Sequence, residues 1–241
     1  MTRVQIAPIG FAVAGAAALV LLGAMSLIWN VSPMPAIGWF AALGYLLTSN
    51  ALLLRGLTLR RPERFGWANI ITALRSTVVG VITGVVAASF VAPTSRTVLL
   101  ALVVPALLLD AVDGWVARRT DNVTELGARF DMEVDAFLLL VLSAYVPQTL
   151  GIWVLAIGLM RYAFVAVGWF LPWFRRRLPL RYWRKVVTAV QGIALAIAAS
   201  GLLPGIDALL VAIALALLVE SFGRDVIWLV ARREVASTAA L

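Results

Sequence analysis

The chain has 241 residues, 63% of them hydrophobic, and a mean hydropathy of +0.99, which excludes an ordinary soluble domain. It has no cysteine and no histidine, which excludes disulfides, thiol chemistry and imidazole catalysis and leaves acid–base work to carboxylates. Its net charge of +8 is the balance of nineteen arginines and one lysine against twelve acidic residues, an excess whose distribution decides between nucleic acid, anionic lipid and membrane topology as its cause.

Apolar runs long enough to cross a bilayer recur along the chain. The first, about 7–29, follows the lone charge of Arg3. It is longer than a signal-peptide core and lacks a clear small-residue cleavage site, so it reads as a retained helix. The second covers about 36–54 and leads into a basic loop with Arg55, Arg60, Arg61 and Arg64. The third starts near Trp67 and ends near Ala92. At its start Asn69, Thr72 and Arg75 fall on one helical stripe, expected to face the bundle interior. Local capping with a snorkelling arginine is the blander alternative. Farther on, Gly80 and Gly84 permit close helix packing. The fourth run, about 97–117, delivers Asp110 and Asp113; a turn at 119–126 follows; the fifth, about 127–147, opens with Asp131 and Asp135. The sixth, about 151–170, has Arg161 near its middle and ends in the basic segment PWFRRRLPLRYWRK. The seventh covers about 186–203, PGID predicts a tight turn, and the eighth starts near Ala208, carries Glu220, Arg224 and Asp225, and ends at Arg232 and Arg233. No low-complexity tract or fixed-period repeat is present.

Asp110 to Asp135 is the stretch with chemistry in it. Asp110 and Asp113 are three residues apart and Asp131 and Asp135 four, so each pair shares a helical face. Two helices joined by a short turn bring all four carboxylates together, where they repel unless a cation lies among them. Oxygen ligands at this density suit Mg²⁺ or Mn²⁺, with substrate phosphate completing the shell. A solvated acidic loop is the alternative, but charge this close to membrane-length runs is costly.

Eight spans put both termini on one side. That side holds Arg3, the loops 55–66, 118–129 and 171–185, and the C-terminus, and so nearly all the basic loop residues; the other side has only Arg96. The termini and the acidic region are therefore expected in the cytoplasm of a multi-pass cell-membrane protein, and topology accounts for the charge without nucleic acid.

Asp110-x-x-Asp113-Gly114-x-x-Ala117-Arg118, eight residues, then Gly127-x-x-x-Asp131-x-x-x-Asp135 resembles the signature of the CDP-alcohol phosphotransferases (CDP-alcohol phosphatidyltransferases), with all eight motif positions matched in identity and spacing. The resemblance implies an all-α integral membrane protein. A six-helix catalytic bundle over 67–241 would be preceded by two extra transmembrane helices and a basic cytoplasmic loop in 1–66, eight helices in total.

It further implies a phosphotransferase in phospholipid biosynthesis, moving a phosphatidyl-type group from a CDP-linked lipid, CDP-diacylglycerol, to a small alcohol or phosphorylated alcohol with release of CMP. Two Mg²⁺ or Mn²⁺ ions would be held by Asp110, Asp113, Asp131 and Asp135, with Asp135 as general base, metal ligand or both. Asn69, Thr72, Arg75, Asp113, Gly114, Ala117, Arg118 and Gly127 would bind the nucleotide. Arg161, Arg181, Arg184 and Lys185 are candidates for a phosphorylated acceptor, against the reading of 175–185 as a membrane-surface basic loop. Lys185-x-x-Thr188-x-x-Gln191 is similar to a segment of phosphatidylglycerophosphate synthases, whereas Ala136 stands where those enzymes commonly have lysine. A homodimer is compatible with this reading.

The alternative from a different class is an ion-coupled membrane transporter using the acidic cluster. Its acids are expected near the bilayer midplane between matching halves, whereas these flank one turn at one membrane face.

Overall fold

In lipid every backbone polar group must be satisfied within its own segment, so apolar runs of this length have little choice but to be helices. The computed structural model is accordingly helical, with no strand among the described residues. It describes residues 34–59, 67–120, 125–175, 178–179 and 182–238; the side chains of 56–59, 67–70, 113–120, 125–126, 172, 175 and 233–238 are not included. The expected first span, the boundary at 66/67 and Arg181 lie outside the described residues.

The helices are α1 (Ala36–Leu59), α2 (Trp67–Ser89), α3 (Arg96–Thr120), α4 (Glu125–Tyr145), a single turn α5 (Pro147–Leu150), α6 (Leu155–Phe170), α7 (Tyr182–Ser200) and α8 (Ile206–Thr238). Among the described residues four segments are long and apolar enough to cross a membrane: Ala36–Arg55, Ile71–Ser89, Ile152–Phe170 and Ile206–Arg232. The protein is therefore a membrane protein. The predicted runs at 97–117, 127–147 and 186–203 are helical too, as α3, α4 and α7. In α4, Arg129, Asp131, Glu133 and Asp135 interrupt the apolar character of the first half.

The chain divides into two compact units, Met1–Val141 and Leu142–Leu241. In the first, α2 lies between α1 and α3. Its span is 72% buried, against 22% for that of α1, so α2 is the strut and α1 an outer helix. Small residues set the α1–α2 spacing. A Cβ added to Gly38 would sit 2.7 Å from the Gly84 carbonyl oxygen, and one added to Gly84 would sit 2.8 Å from that of Gly38. The two backbones thus touch, the close approach expected from the Gly80/Gly84 spacing. Leu46 of α1 fills the space beside Gly80, and Ala42 the space beside Gly84. Pro105 lies inside α3, where it removes one i→i−4 hydrogen bond.

In the second unit α7 packs on α8. The predicted turn is present: Gly201 and Gly205 have φ of 64° and 91°, and Asp207 Oδ1 accepts hydrogen bonds from the backbone N–H of Gly205 (2.9 Å) and Ala208 (2.8 Å) at the start of α8. This satisfies donors that the first turn of a helix leaves open and places negative charge at its positive end. Gln191 Nε2, fully buried on α7, donates to the Ala214 carbonyl of α8 at 2.9 Å. Phe164 of α6 meets Phe174 and Phe222, with ring centroids at 4.4 and 5.2 Å, and this aromatic contact joins α6 to α8.

Candidate active site

Asp110 lies in the second half of α3, Asp131 in the first half of α4 and Asp135 at its middle, and Arg75 in the first half of α2. For helices traversed alternately in opposite directions, start, end and start are the same end. This is how a sequence span of sixty residues collapses to one place. Asp131 and Asp135 are one helical turn apart and side by side. A carboxylate oxygen from each of Asp110, Asp131 and Asp135 lies within 4.8 Å of the other two.

Arg75 holds them there. Its side chain is fully buried, and the guanidinium fork spreads across all three acids: Nη1 donates to Asp110 Oδ1, Nη2 to Asp131 Oδ1, and Nη2 also lies 2.9 Å from Asp135 Oδ1. Nη2 further reaches the Asp131 backbone carbonyl at 3.4 Å. A planar, permanently charged fork suits this bridging in a way an ammonium does not. The carboxylates themselves are not sealed: the side chains of Asp110, Asp131 and Asp135 are 44%, 30% and 26% exposed. Three carboxylates against one guanidinium leave a formal charge of −2 facing the accessible side. The donor set is oxygen throughout, with no nitrogen or sulfur ligand, and so fits a hard divalent cation.

Around this core the expected residues fall as follows. Thr72 is buried one turn before Arg75 on α2, and Gly127 lies one turn before Asp131 on α4. The backbone of Asn69 is in α2 and that of Asp113, Gly114, Ala117 and Arg118 in α3, while their side chains lie outside the described residues. The acceptor candidates belong to the second unit. Arg161 is half-buried on α6 and Lys185 exposed on α7. Arg184 is engaged with Asp225, Nε to Oδ2 and Nη2 to Oδ1, both at 3.0 Å, and its Nη2 also donates to the Pro179 carbonyl at 2.9 Å. Glu220 pairs with Arg224 one turn on and accepts from Trp183 Nε1 at 3.0 Å.

Two features were not read from the sequence. Arg75, assigned from the sequence to the nucleotide, also bridges the carboxylates. A hydroxyl cluster also lies next to it: Tyr45 Oη and Ser49 Oγ, both on α1, are 3.2 and 2.9 Å from Ser76 Oγ on α2. Tyr45 and Ser49 are spaced i, i+4 in the second apolar run, a polar stripe that signals a facing partner.

No curated protein and no solved structure was found to match the chain. The family model for CDP-alcohol phosphatidyltransferase matches residues 65–236, which takes in α2 through most of α8 and leaves α1 outside. That family consists of phosphotransferases that work on CDP-alcohols and typically depend on a divalent metal, as the oxygen-only triad on Arg75 would allow. With the motif complete in the sequence and three of its aspartates gathered in space, the chain belongs to the CDP-alcohol phosphatidyltransferase family.

Proposed function

We propose that the protein transfers a phosphatidyl group from CDP-diacylglycerol to an acceptor alcohol, with release of CMP, as a step of phospholipid synthesis. The observation that carries this is the set of three carboxylates from two helices, gathered on a buried arginine and open on one side. The acceptor oxygen forms a bond to the phosphorus that bears the lipid; the bond from that phosphorus to the CMP oxygen breaks; the hydroxyl proton passes to Asp135. Asp110, Asp113, Asp131 and Asp135 would hold two Mg²⁺ or Mn²⁺ ions, which when bound neutralise the pyrophosphate and the leaving CMP oxygen. The chain's own groups do the positioning. Asn69, Thr72, Arg75, Asp113, Gly114, Ala117, Arg118 and Gly127 are the residues assigned to the nucleotide. Asp135 accepts the proton, because the chain has no histidine and a base must come within about 2.6–3.2 Å of the hydroxyl it serves.

The proposed topology has eight spans, the last six forming the catalytic bundle over 67–241, with both termini and the site in the cytoplasm. Arg161, Arg181, Arg184 and Lys185 are proposed to favour a phosphorylated acceptor. Family membership weighs against the ion-coupled carrier.

The test is CMP release by the purified protein from radiolabelled CDP-diacylglycerol against a panel of alcohols, with Mg²⁺ and with EDTA. Transfer to at least one alcohol, lost in EDTA, is expected. Absence of transfer to every alcohol, or full transfer in EDTA, would overturn the reading.

A further inference from the structure

We infer that α1, which lies outside the family-matched residues, is a positioning element of the active site, and that Tyr45 is the residue through which it acts. Three observations converge on it. First, α1 is locked to α2: with Gly38 and Gly84 each facing the other's carbonyl oxygen at less than 3 Å from any added Cβ, neither helix can slide without a backbone clash. Second, the polar contacts of that interface fall at the level of the site. Tyr45 Oη and Ser49 Oγ meet Ser76 Oγ, and Ser76 is the chain neighbour of Arg75. Hydroxyls in an apolar interface are costly unless paired, so this trio fixes the rotation of α2 as well as its height. Third, the Tyr45 ring stacks on Phe137 of α4, with centroids 4.5 Å apart and planes at 27°. Phe137 lies two residues beyond Asp135. One side chain of α1 thus touches both α2, at the residue next to Arg75, and α4, two residues beyond Asp135.

The consequence concerns distances between helices. Arg75 reaches Asp131 and Asp135 across the gap between α2 and α4, and Tyr45 spans the same pair of helices. Without Tyr45 the two helices lose a fixed separation, and the carboxylates lose their common spacing. Partners that orient metal-binding carboxylates typically contribute about 10–100-fold to metal affinity. Tyr45 acts here through Arg75 and Asp135 and touches no reacting atom.

The inference rests on the proposed reaction only in its kinetic arm, so the experiment has two readouts. Full-length protein in detergent is titrated with Mg²⁺ while the thermal midpoint is followed, and CMP release is measured on the same samples. The variants are Tyr45→Phe, which keeps the stack, Tyr45→Leu, which loses stack and hydroxyl, and Phe137→Leu, which loses only the stack and leaves the α1–α2 glycine contact intact. Tyr45→Leu and Phe137→Leu should raise the Mg²⁺ concentration for half-maximal stabilisation by about 10-fold or more and lower kcat with little change in the KM for the alcohol. Tyr45→Phe, which loses the hydrogen bond to Ser76 and keeps the stack on Phe137, should raise the Mg²⁺ midpoint by less than Tyr45→Leu does. If both leucine variants melt lower yet keep the wild-type Mg²⁺ midpoint and kcat, α1 is a structural cover and the inference fails. If Tyr45→Leu does not fold, Phe137→Leu decides by the same criteria. Wild-type protein that binds Mg²⁺ but releases no CMP would refute the proposed function while the Mg²⁺ arm still judges α1.

Discussion

Replacing Arg75 with methionine tests the electrostatic design of the site most directly. The substitution keeps an unbranched apolar stem and removes a group that bridges Asp110, Asp131 and Asp135. Two unit charges 4.8 Å apart, the outer spacing of these oxygens, repel by about 3.5 kcal/mol at an effective dielectric near 20 and by under about 1 kcal/mol in water. Removing one partner of a fully buried pair costs about 3–5 kcal/mol. Here the arginine is buried but each carboxylate is between a quarter and a half exposed, so water screens part of that and about 2–3 kcal/mol is the better figure. For a chain of this size that corresponds to a fall in thermal midpoint of about 4–12 °C.

The nine tryptophans give the readout, intrinsic fluorescence on heating in detergent. The informative comparison is the gap between wild type and variant in EDTA and in excess Mg²⁺. A divalent cation neutralises the same oxygens that Arg75 holds, so the gap should be largest in EDTA and shrink by at least half in Mg²⁺. Arg75→Lys, which keeps the charge and loses the fork, should fall between the two. A gap that is absent, or equal in both conditions, would refute the idea that Arg75 is a counter-charge shared with a cation site.

Asp110→Asn, Asp113→Asn and Asp131→Asn should each abolish CMP release while the far-ultraviolet helical signal stays intact. Asp135→Asn should retain nucleotide binding by calorimetry and lose about 10²–10⁴-fold in transfer rate, the usual contribution of a general base; binding lost along with transfer would make Asp135 primarily a ligand. Gly84→Leu should destabilise the protein by about 1–3 kcal/mol in urea or thermal unfolding, because its side chain meets the Gly38 carbonyl. A reporter fused to the C-terminus should read as cytoplasmic, and an external signal would break the proposed topology and the placement of the site together.

The aspartates were legible because a helix turns spacing into geometry. Three- and four-residue intervals flanked by bilayer-length runs leave few arrangements other than two helix ends sharing a carboxylate cluster. The stripe of Asn69, Thr72 and Arg75 was legible in the same way, and Thr72 and Arg75 are indeed buried. Periodicity names a face, however, and says nothing about which neighbour that face meets. That Arg75 meets Asp110, Asp131 and Asp135 depends on how α3 and α4 stand against α2, a tertiary fact. Glu220 and Asp225 show the same boundary. Glu220 pairs within its own helix at i, i+4, a local relation open to reading, whereas Asp225 pairs with Arg184 forty-one residues away. Tyr45 lay in plain view in an apolar run, but its significance needs the register of α1 on α2, set by two glycine carbonyls.

The distribution of burial around the site carries its own argument. A fully buried arginine facing three partly exposed carboxylates is the reverse of the usual snorkelling arrangement, in which the cation reaches water and the apolar stem is covered. Desolvating a guanidinium is costly unless it is well paired, so Arg75 is tolerable only with its carboxylate partners close. The arginine is thus the fixed member, tied to the strut α2, and the acids form the open side. Anything that binds there, whether cation or phosphate carried by a cation, must approach from the carboxylates and meet a site whose back wall is already positive. That order puts negative charge outward to gather cations and positive charge inward to offset the repulsion among the acids.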